Sequence, residues 1–279
     1  MFQPVPTNNK ADIIVLLAHY NDNERLKEAI KSIDEPNLVD VLILDDGSTV
    51  KPNEEELQGL YGNKGILQIK YKPENIGASA IRNWGIEMIL QTKYQYVGIM
   101  DSDDTNQPER FAKQINFLKN NPEIALIGSW GDYYDENRNF LFTLKHPTLD
   151  HEIRKKMHLN STFLHSAITY RREVLTKVKG YSDKFKAGGE DYDFVFRVLK
   201  QFKVANYPES LVNITVTYNG LSSQKRFSQV LNRLKILVKN FYFGFYPIYG
   251  ILRSTILLFV PRSFGITLRR IFKFDKLSI

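Results

Sequence analysis

The stretch YVGIMDSDD, residues 96–104, decides the fold of this 279-residue chain. Its first five residues are a short apolar run that reads as a buried strand. The run is followed by three carboxylates, Asp101, Asp103 and Asp104. Carboxylates gathered at a strand end repel one another unless a cation or a ligand compensates them. In an open α/β sheet, the carboxyl edge of the strands is where ligands bind. The stretch VLILDDGS, residues 41–48, repeats the pattern with Asp45 and Asp46, and a third cluster, Gly188-Gly189-Glu190-Asp191-Tyr192-Asp193, opens a helical pattern. Together they point to a metal-assisted site for a phosphorylated ligand.

Outward from this stretch the chain alternates. Apolar runs at 12–18, 39–44, 66–71, 96–100 and 124–128 predict strands. Helical spacing predicts helices at 23–33, 54–61, 78–91 and 107–119, the last with Pro108 near its start, where proline is tolerated. Such alternation predicts an α/β fold, a mostly parallel sheet with helices on both faces. After Gly131 the pattern loosens. Tyr133 and residues 140–144 read as a small antiparallel part, 150–158 and 172–178 as helices, and 163–170 as extended. A helix over 190–201 and a strand over 213–217 complete the body. No internal repeat is visible.

Charge divides the chain. From Ser222 onward there are eleven Lys and Arg against one acid, Asp275, a local excess of +10 in a chain of +7, so the preceding residues carry −3. A basic tail favours an anionic partner. Residues 227–242 are basic and amphipathic, and 241–260, FYFGFYPIYGILRSTILLFV, are aromatic-rich. The second stretch has the length of a membrane span, but Pro247, Gly250 and Arg253 interrupt it. Helices lying in an anionic membrane surface are therefore expected. The plainer reading is a helical subdomain packed on the body. A nucleic-acid module would show aromatics on a basic sheet, whereas this segment is helical and greasy, so no nucleic acid is expected. With no cysteine, disulfides and thiolate metal sites are excluded. The N-terminal MFQPVP lacks a basic start and an apolar core, so no signal peptide is expected.

Each cluster has a chemical and an ordinary reading. Asp101, Asp103 and Asp104 suit a hard divalent cation, magnesium or manganese, completed by diphosphate oxygens; alternatively Asp104 or Thr105 caps the next helix. Asp46, beside the turn at Gly47, suits a nucleobase imide; alternatively the four residues form an Asx turn. Asn75, Gly77 and Arg82 lie at a helix start, which attracts phosphate; alternatively Arg82 is a surface arginine. Glu190 or Asp191 can take a proton from an acceptor hydroxyl; alternatively these acids, and Asp193, only complement the positive helix end. His165, in an apolar and small-residue stretch, is a candidate for diphosphate or metal; alternatively it is a packing residue. There is no Walker loop, dinucleotide-binding glycine fingerprint, Gly-x-Ser-x-Gly or His-Glu-x-x-His.

In series, Tyr20-Asn21, Asp45-Asp46-Gly47-Ser48-Thr49, Asn75-x-Gly77 with Arg82-Asn83-x-Gly85, Asp101-x-Asp103-Asp104 with Pro108-x-Arg110, and Gly189-Glu190-Asp191 resemble family 2 of the glycosyltransferases, inverting enzymes of GT-A fold. The resemblance spans roughly residues 12–199 and is similar to the subgroup building bacterial surface polysaccharide and lipopolysaccharide. It implies that Ala18, Tyr20 and Asp46 hold the nucleobase of a nucleotide-diphosphate sugar, uridine-linked. It implies that Asp101, Ser102 and Asp103, with Gly77 and Arg82, hold the rest of the donor. Asp103, Asp101, Asp104 and His165 are the metal candidates. Asp191 would be the base, with Glu190 orienting it or the acceptor. The family's first-strand Pro-Thr is replaced by Ala18-His19. The Gln-x-x-Arg-Trp motif of processive members is only approached by Gln224-Lys225-Arg226-Phe227, so one sugar per encounter is expected.

A catalytic domain over 1–221 is expected, its nucleotide-sugar half ending near 130 and its acceptor half running over about 131–221, followed by a basic, aromatic, membrane-associating tail over 222–279. That tail would place the enzyme at the cytoplasmic face of the plasma membrane, where a lipid-linked saccharide is the expected acceptor. The rivals are a sugar-nucleotide pyrophosphorylase, which would carry a Gly-rich basic loop where His19-Tyr20-Asn21-Asp22 stands, and a non-catalytic binding module.

Overall fold

The computed structural model describes residues 11–185, 188–216 and 226–259. The N-terminal hexapeptide, Thr217 of the predicted last strand, Gln224-Lys225 and the basic residues beyond Val260 lie outside the described residues.

Among the described residues nine strands form one mixed sheet: β1 (Ile13–His19), β2 (Asp40–Asp45), β3 (Leu67–Tyr71), β4 (Tyr96–Asp101), β5 (Thr105–Asn106), β6 (Ile124–Tyr134), β7 (Phe140–Leu144), β8 (Thr169–Arg171) and β9 (Lys203–Thr215). Their order is β3-β2-β1-β4-β8-β6-β9-β5, with β7 beside β6. The pairs β1–β2, β2–β3 and β1–β4 are parallel. β8 is antiparallel to both β4 and β6, and β7 is antiparallel to β6. The chain order reverses at the β1–β4 boundary, where α/β sheets open a binding crevice. There the register aligns Ala18 with Asp101 on one side and with Leu44 on the other, and His19 with Asp45. One sheet edge thus collects the ends of β1, β2 and β4.

β1 is buried on both faces, which is why it reads as continuous apolar sequence. Ile14 and Leu16 join the core under α3 (Ala78–Ile89) and α7 (Glu190–Leu199), while Ile13, Val15 and Leu17 join that under α1 (Asn23–Lys31), α2 (Glu54–Tyr61) and α4 (Arg110–Asn120). Asp22 caps α1 and Asn53 caps α2 through their side chains. Two shorter helices, α5 (Asp150–Lys156) and α6 (Glu173–Val178), flank the antiparallel part.

Four expectations need correction. The fourth helix starts at Arg110, after Pro108, and neither Asp104 nor Thr105 caps it. Glu35 does, accepting from the Phe111 and Ala112 N–H groups at 2.8 and 2.9 Å. The last strand starts at Lys203, ten residues earlier than its composition indicated, and pairs along β6 through register shifts around Trp130. Residues 163–170 are extended only in part: a 3-10 turn (His165–Ala167) interrupts them before the short β8.

The fourth concerns the tail. Helices α8 (Arg226–Lys239) and α9 (Phe245–Phe259) pack against one another, and α8 enters the main core through Ile236 and Leu237. Asn232 Nδ2 donates to the Gly188 carbonyl at 2.9 Å, and Lys239 Nζ reaches Asp193 at 2.9 Å. Gly250 lies so close that a Cβ there would sit 2.0 Å from the His158 carbonyl oxygen. The plainer reading, a subdomain packed on the body, therefore holds for α8. No helix among the described residues is long and apolar enough to cross a membrane. α9 still exposes Phe245, Tyr249, Leu252, Ile256 and Phe259 along one face.

Three buried histidines give the fold an acid sensitivity. Burial pushes His19, His146 and His158 below the usual value, His146 to about 4. A histidine depressed in the folded state stabilises above its unfolded pKa of about 6.5, and that stability is lost as pH falls toward 4. Urea midpoints at pH 7 and pH 4.5 should show the loss, and His146→Leu should make the pH dependence shallower. An unchanged dependence would remove His146 from the cause.

Candidate active site

The Asp45–Ser48 turn does build an Asx-type structure: Asp45 Oδ2 accepts from the Ser48 N–H at 3.2 Å. Gly47 has φ +75°, and a Cβ there would lie 2.4 Å from the Glu74 backbone carbon, so only glycine fits. Asp46 then clamps the loop before α3, its two oxygens accepting from the Ile76 and Gly77 N–H groups at 2.8 and 3.0 Å. The clamp brings the N-terminus of α3 and Arg82, one turn in, over the end of β4.

A cleft of about 800 Å³ opens along this edge. Ala18, Tyr20, Asp46, Gly77, Arg82, Asp101, Ser102 and Asp103 all line it, as do Asp22 and Asn75. Every residue that sequence assigned to the donor therefore lines one cleft. A second cavity of about 470 Å³ holds Glu190, Asp191, His165, Asn160 and Ser161. The two cavities share Arg82, Asp101, Gly188, Glu190 and Gln229. Asp46 and Asp103 belong to the first only, Asp191 to the second only.

The shared wall is a charged network. Arg82 Nη2 donates to Asp101 Oδ1 at 2.7 Å, and His165 Nδ1 stands 3.8 Å from Asp101 Oδ2. His165 Nε2 shares a hydrogen bond with the Tyr181 hydroxyl at 2.8 Å. Burial opposes ionisation of Asp101, but Arg82 and His165 outweigh it and hold the carboxyl well below the ordinary range. Asp103 goes the other way, raised by burial and by the Asp101 charge. Glu190 is raised by burial and then by Asp191, and its Oε2 is buried without a partner among the described residues.

The four metal candidates do not form a single ligand set among the described residues. Asp104 is buried away from both cavities, hydrogen-bonded to Ser166, and burial raises its pKa well above the usual value. His165 is engaged by Tyr181 and faces the second cavity. Among the described residues no three His, Asp or Glu side chains are grouped to hold an ion by themselves. Asp101 and Asp103 still fit a divalent cation of the magnesium kind, which takes one or two carboxylates and completes its shell with phosphate oxygens. The crowding that raises Asp103 is what such an ion relieves. Arg110 is fully buried and donates to Asn106 Oδ1 at 2.7 Å and the Ile99 carbonyl at 2.8 Å, so it is a structural residue. Asp193 is likewise structural, wholly buried between Arg197 and Lys239.

Sequence reading missed Gln229 and Arg233. Both project from α8 onto the second cavity, and Gln229 also reaches the first. Their spacing of four residues puts them on one helical face, and no contiguous motif marks it.

Residues 14–179 match the family model described as glycosyl transferase family 2. An uncharacterized glycosyltransferase of Methanocaldococcus jannaschii is 31% identical over 196 residues, covering 68% of this chain and 66% of that protein. The amylovoran biosynthesis glycosyltransferase AmsE of Erwinia amylovora is 25% identical, covering 86% of this chain and 91% of its own. A UDP-Gal:alpha-D-GlcNAc-diphosphoundecaprenol beta-1,3-galactosyltransferase of Escherichia coli is 27% identical over 64% of each chain. Among solved structures, S. aureus TarS 1-349 in complex with UDP-GlcNAc aligns with a TM-score of 0.61 at 17% identity, covering 94% of this chain and 73% of that one. Mannosyltransferase PcManGT from Pyrobaculum calidifontis, in complex with GDP-Man and Mn2+, aligns at 0.60 and 14% identity, covering 92% and 73%. These likenesses establish the GT-A architecture.

Proposed function

From its membership of glycosyl transferase family 2, to which this chain belongs, we propose an inverting transferase that moves one sugar from a nucleotide-diphosphate sugar, uridine-linked, to a lipid-linked saccharide in surface polysaccharide assembly. The observation that carries this reading is the junction of two cavities at Arg82, Asp101 and Glu190. A transferase needs two substrates meeting at one point, and this wall is where they would meet.

The larger cavity takes the donor. Tyr20, half exposed at its rim, offers a ring to the base, beside Ala18 and Asp46. Arg82 and the N-terminus of α3 face the diphosphate. A magnesium or manganese ion held by Asp103 and Asp101 would offset the charge of the leaving diphosphate. The smaller cavity takes the acceptor. Asp191 removes the proton from its hydroxyl, and the oxygen attacks the anomeric carbon from the face opposite the diphosphate. The carbon–oxygen bond to the diphosphate breaks, and configuration inverts. Glu190, reaching both cavities, orients the hydroxyl. The relatives' names that include diphosphoundecaprenol and amylovoran biosynthesis support the acceptor class. The exposed aromatic face of α9 and the basic tail support a position on an anionic membrane surface, at its cytoplasmic face.

A panel of labelled nucleotide sugars, each with magnesium and with EDTA, tests the donor half. One of them should bind and protect the protein against heat, with the affinity lost in EDTA and restored by added magnesium. Binding indifferent to EDTA would remove the metal, and no binding at all would remove the donor.

A further inference from the structure

Two guanidinium groups meet at the Leu159 carbonyl, beside the smaller cavity. Arg233 of α8 lines it and donates through Nη2 to the Leu159 carbonyl. Arg253 of α9 donates through Nη1 to the same carbonyl at 2.9 Å. Among the described residues no carboxylate lies within ion-pair distance of either one. The Nε of Arg233 is buried with no hydrogen-bond partner among the described residues. Leu159 is followed directly by Asn160 and Ser161, which line the same cavity.

A helix-end clamp explains only part of this. Leu159 follows α5, and arginine often meets carbonyls at a helix end. One carbonyl, however, does not balance two like charges. Burial lowers the Arg233 pKa, Tyr192 opposes the shift and Arg253 adds to it. An arginine pair held together without an acid stands in the electrostatic position of a site whose counter-charge arrives with the ligand. Glu190 and Asp191 occupy the catalytic end of the cavity instead.

We propose that Arg233 and Arg253 bind an oxyanion carried by the acceptor, fixing the hydroxyl that Asp191 deprotonates. This rests on the reading of the smaller cavity as the acceptor site. The chemistry recognised is a phosphoryl or carboxylate group, which arginine binds with paired, charge-assisted hydrogen bonds. The position of Arg253 selects the source. It projects from α9 on the side that also carries the exposed Tyr249 and Ile256, with Leu252 next to it, so the oxyanion lies beside the surface expected to face lipid. That juxtaposition fits the diphosphate joining a saccharide to a polyprenyl chain. Arg233 and Arg253 are thus specificity and positioning residues, and the tail is part of the site.

The test uses the full chain with the larger cavity filled by saturating UDP and magnesium, or GDP where that binds more tightly. Two probes are titrated calorimetrically, geranyl diphosphate and methyl β-D-glucuronide. Geranyl diphosphate should bind the wild type, and R233Q and R253Q should each weaken it by roughly tenfold or more. R233K should fall between, and nucleotide affinity should stay unchanged. Dependence on Arg233 for the glucuronide alone would keep the oxyanion site but move its source to an acidic sugar. A clamp without ligand predicts a lower melting temperature in R233Q with no probe-specific loss, and that result overturns the proposal. Competition between geranyl diphosphate and UDP overturns it too, by placing the probe in the donor cleft. Failure of the wild type to bind either nucleotide strikes the donor reading itself. Intact nucleotide binding with probe affinity indifferent to both arginines strikes only this inference.

Discussion

Asp191→Asn is expected to lower sugar transfer by about 10²–10⁴-fold, the range ascribed to a general base, while donor binding is unchanged. Asparagine is nearly isosteric with aspartate, and its carbonyl can keep the bond that Asp191 Oδ1 accepts from the Tyr192 N–H at 2.8 Å. Helix α7 therefore keeps its start. Asp191 lines the smaller cavity and not the larger, so the loss belongs in kcat rather than in donor affinity. Glu190→Gln makes the informative contrast. Glu190 borders both cavities and packs its carboxylate beside Asp191, so its loss should disturb donor KM and kcat together. Initial rates and donor titrations on the two variants decide the assignment. Full activity in Asp191→Asn beside a dead Glu190→Gln would move the base to Glu190.

How much of this was legible in sequence follows from what each element buries. The strands β1 to β4 are covered by helices on their faces, so their apolar character is continuous and local. The sequence shows them within a residue or two, together with the acids that follow β2 and β4. β9 behaves differently. Residues such as Asn206, Pro208, Glu209 and Ser210 look like a turn, yet they lie in a strand because β6 runs beside them and its register shifts absorb the misfit. A bulge admits a proline that a regular central strand rejects. No local pattern carries that information, since the partner lies about 80 residues away. The grouping of the proposed donor residues in one cleft was readable because the acids directly follow the strands that end there. Of the proposed metal residues, only Asp101 and Asp103 line that cleft. Asp104 looks identical to Asp103 in sequence, but the chain buries it against Ser166 and outside both cavities. Gln229 and Arg233 were unreadable for a third reason. Amphipathic spacing shows that a helix buries one face, and it does not say whether a membrane or the body covers that face.

That ambiguity sets the expected outcome of removing residues 222–279. If the tail were only an anchor, the truncated protein would be soluble, active and free of membranes. The packing of α8 predicts instead that it fails to fold or loses activity outright. Ile236 and Leu237 are fully buried in the core that contains α7, and burial of such side chains contributes about 1.5–3 kcal/mol each. Truncation also strips Lys239 from the wholly buried Asp193 and Asn232 from Gly188, and it deletes Gln229 and Arg233 from the cavity. These losses are a large part of the ~5–15 kcal/mol that keeps a domain folded. Membrane attachment therefore has to be tested with the tail in place. Phe243, Ile256 and Phe259 are 92%, 60% and 81% exposed, so replacing all three with Ser removes little that the fold uses. The triple variant should melt within a few degrees of the wild type, because exposed positions contribute little to stability. It should bind UDP as before, and its co-sedimentation with phosphatidylglycerol vesicles should drop sharply. Truncation that leaves a stable, active enzyme would refute the role given to α8, whereas undiminished sedimentation of the triple variant would refute only the membrane role given to Phe243 and the exposed face of α9.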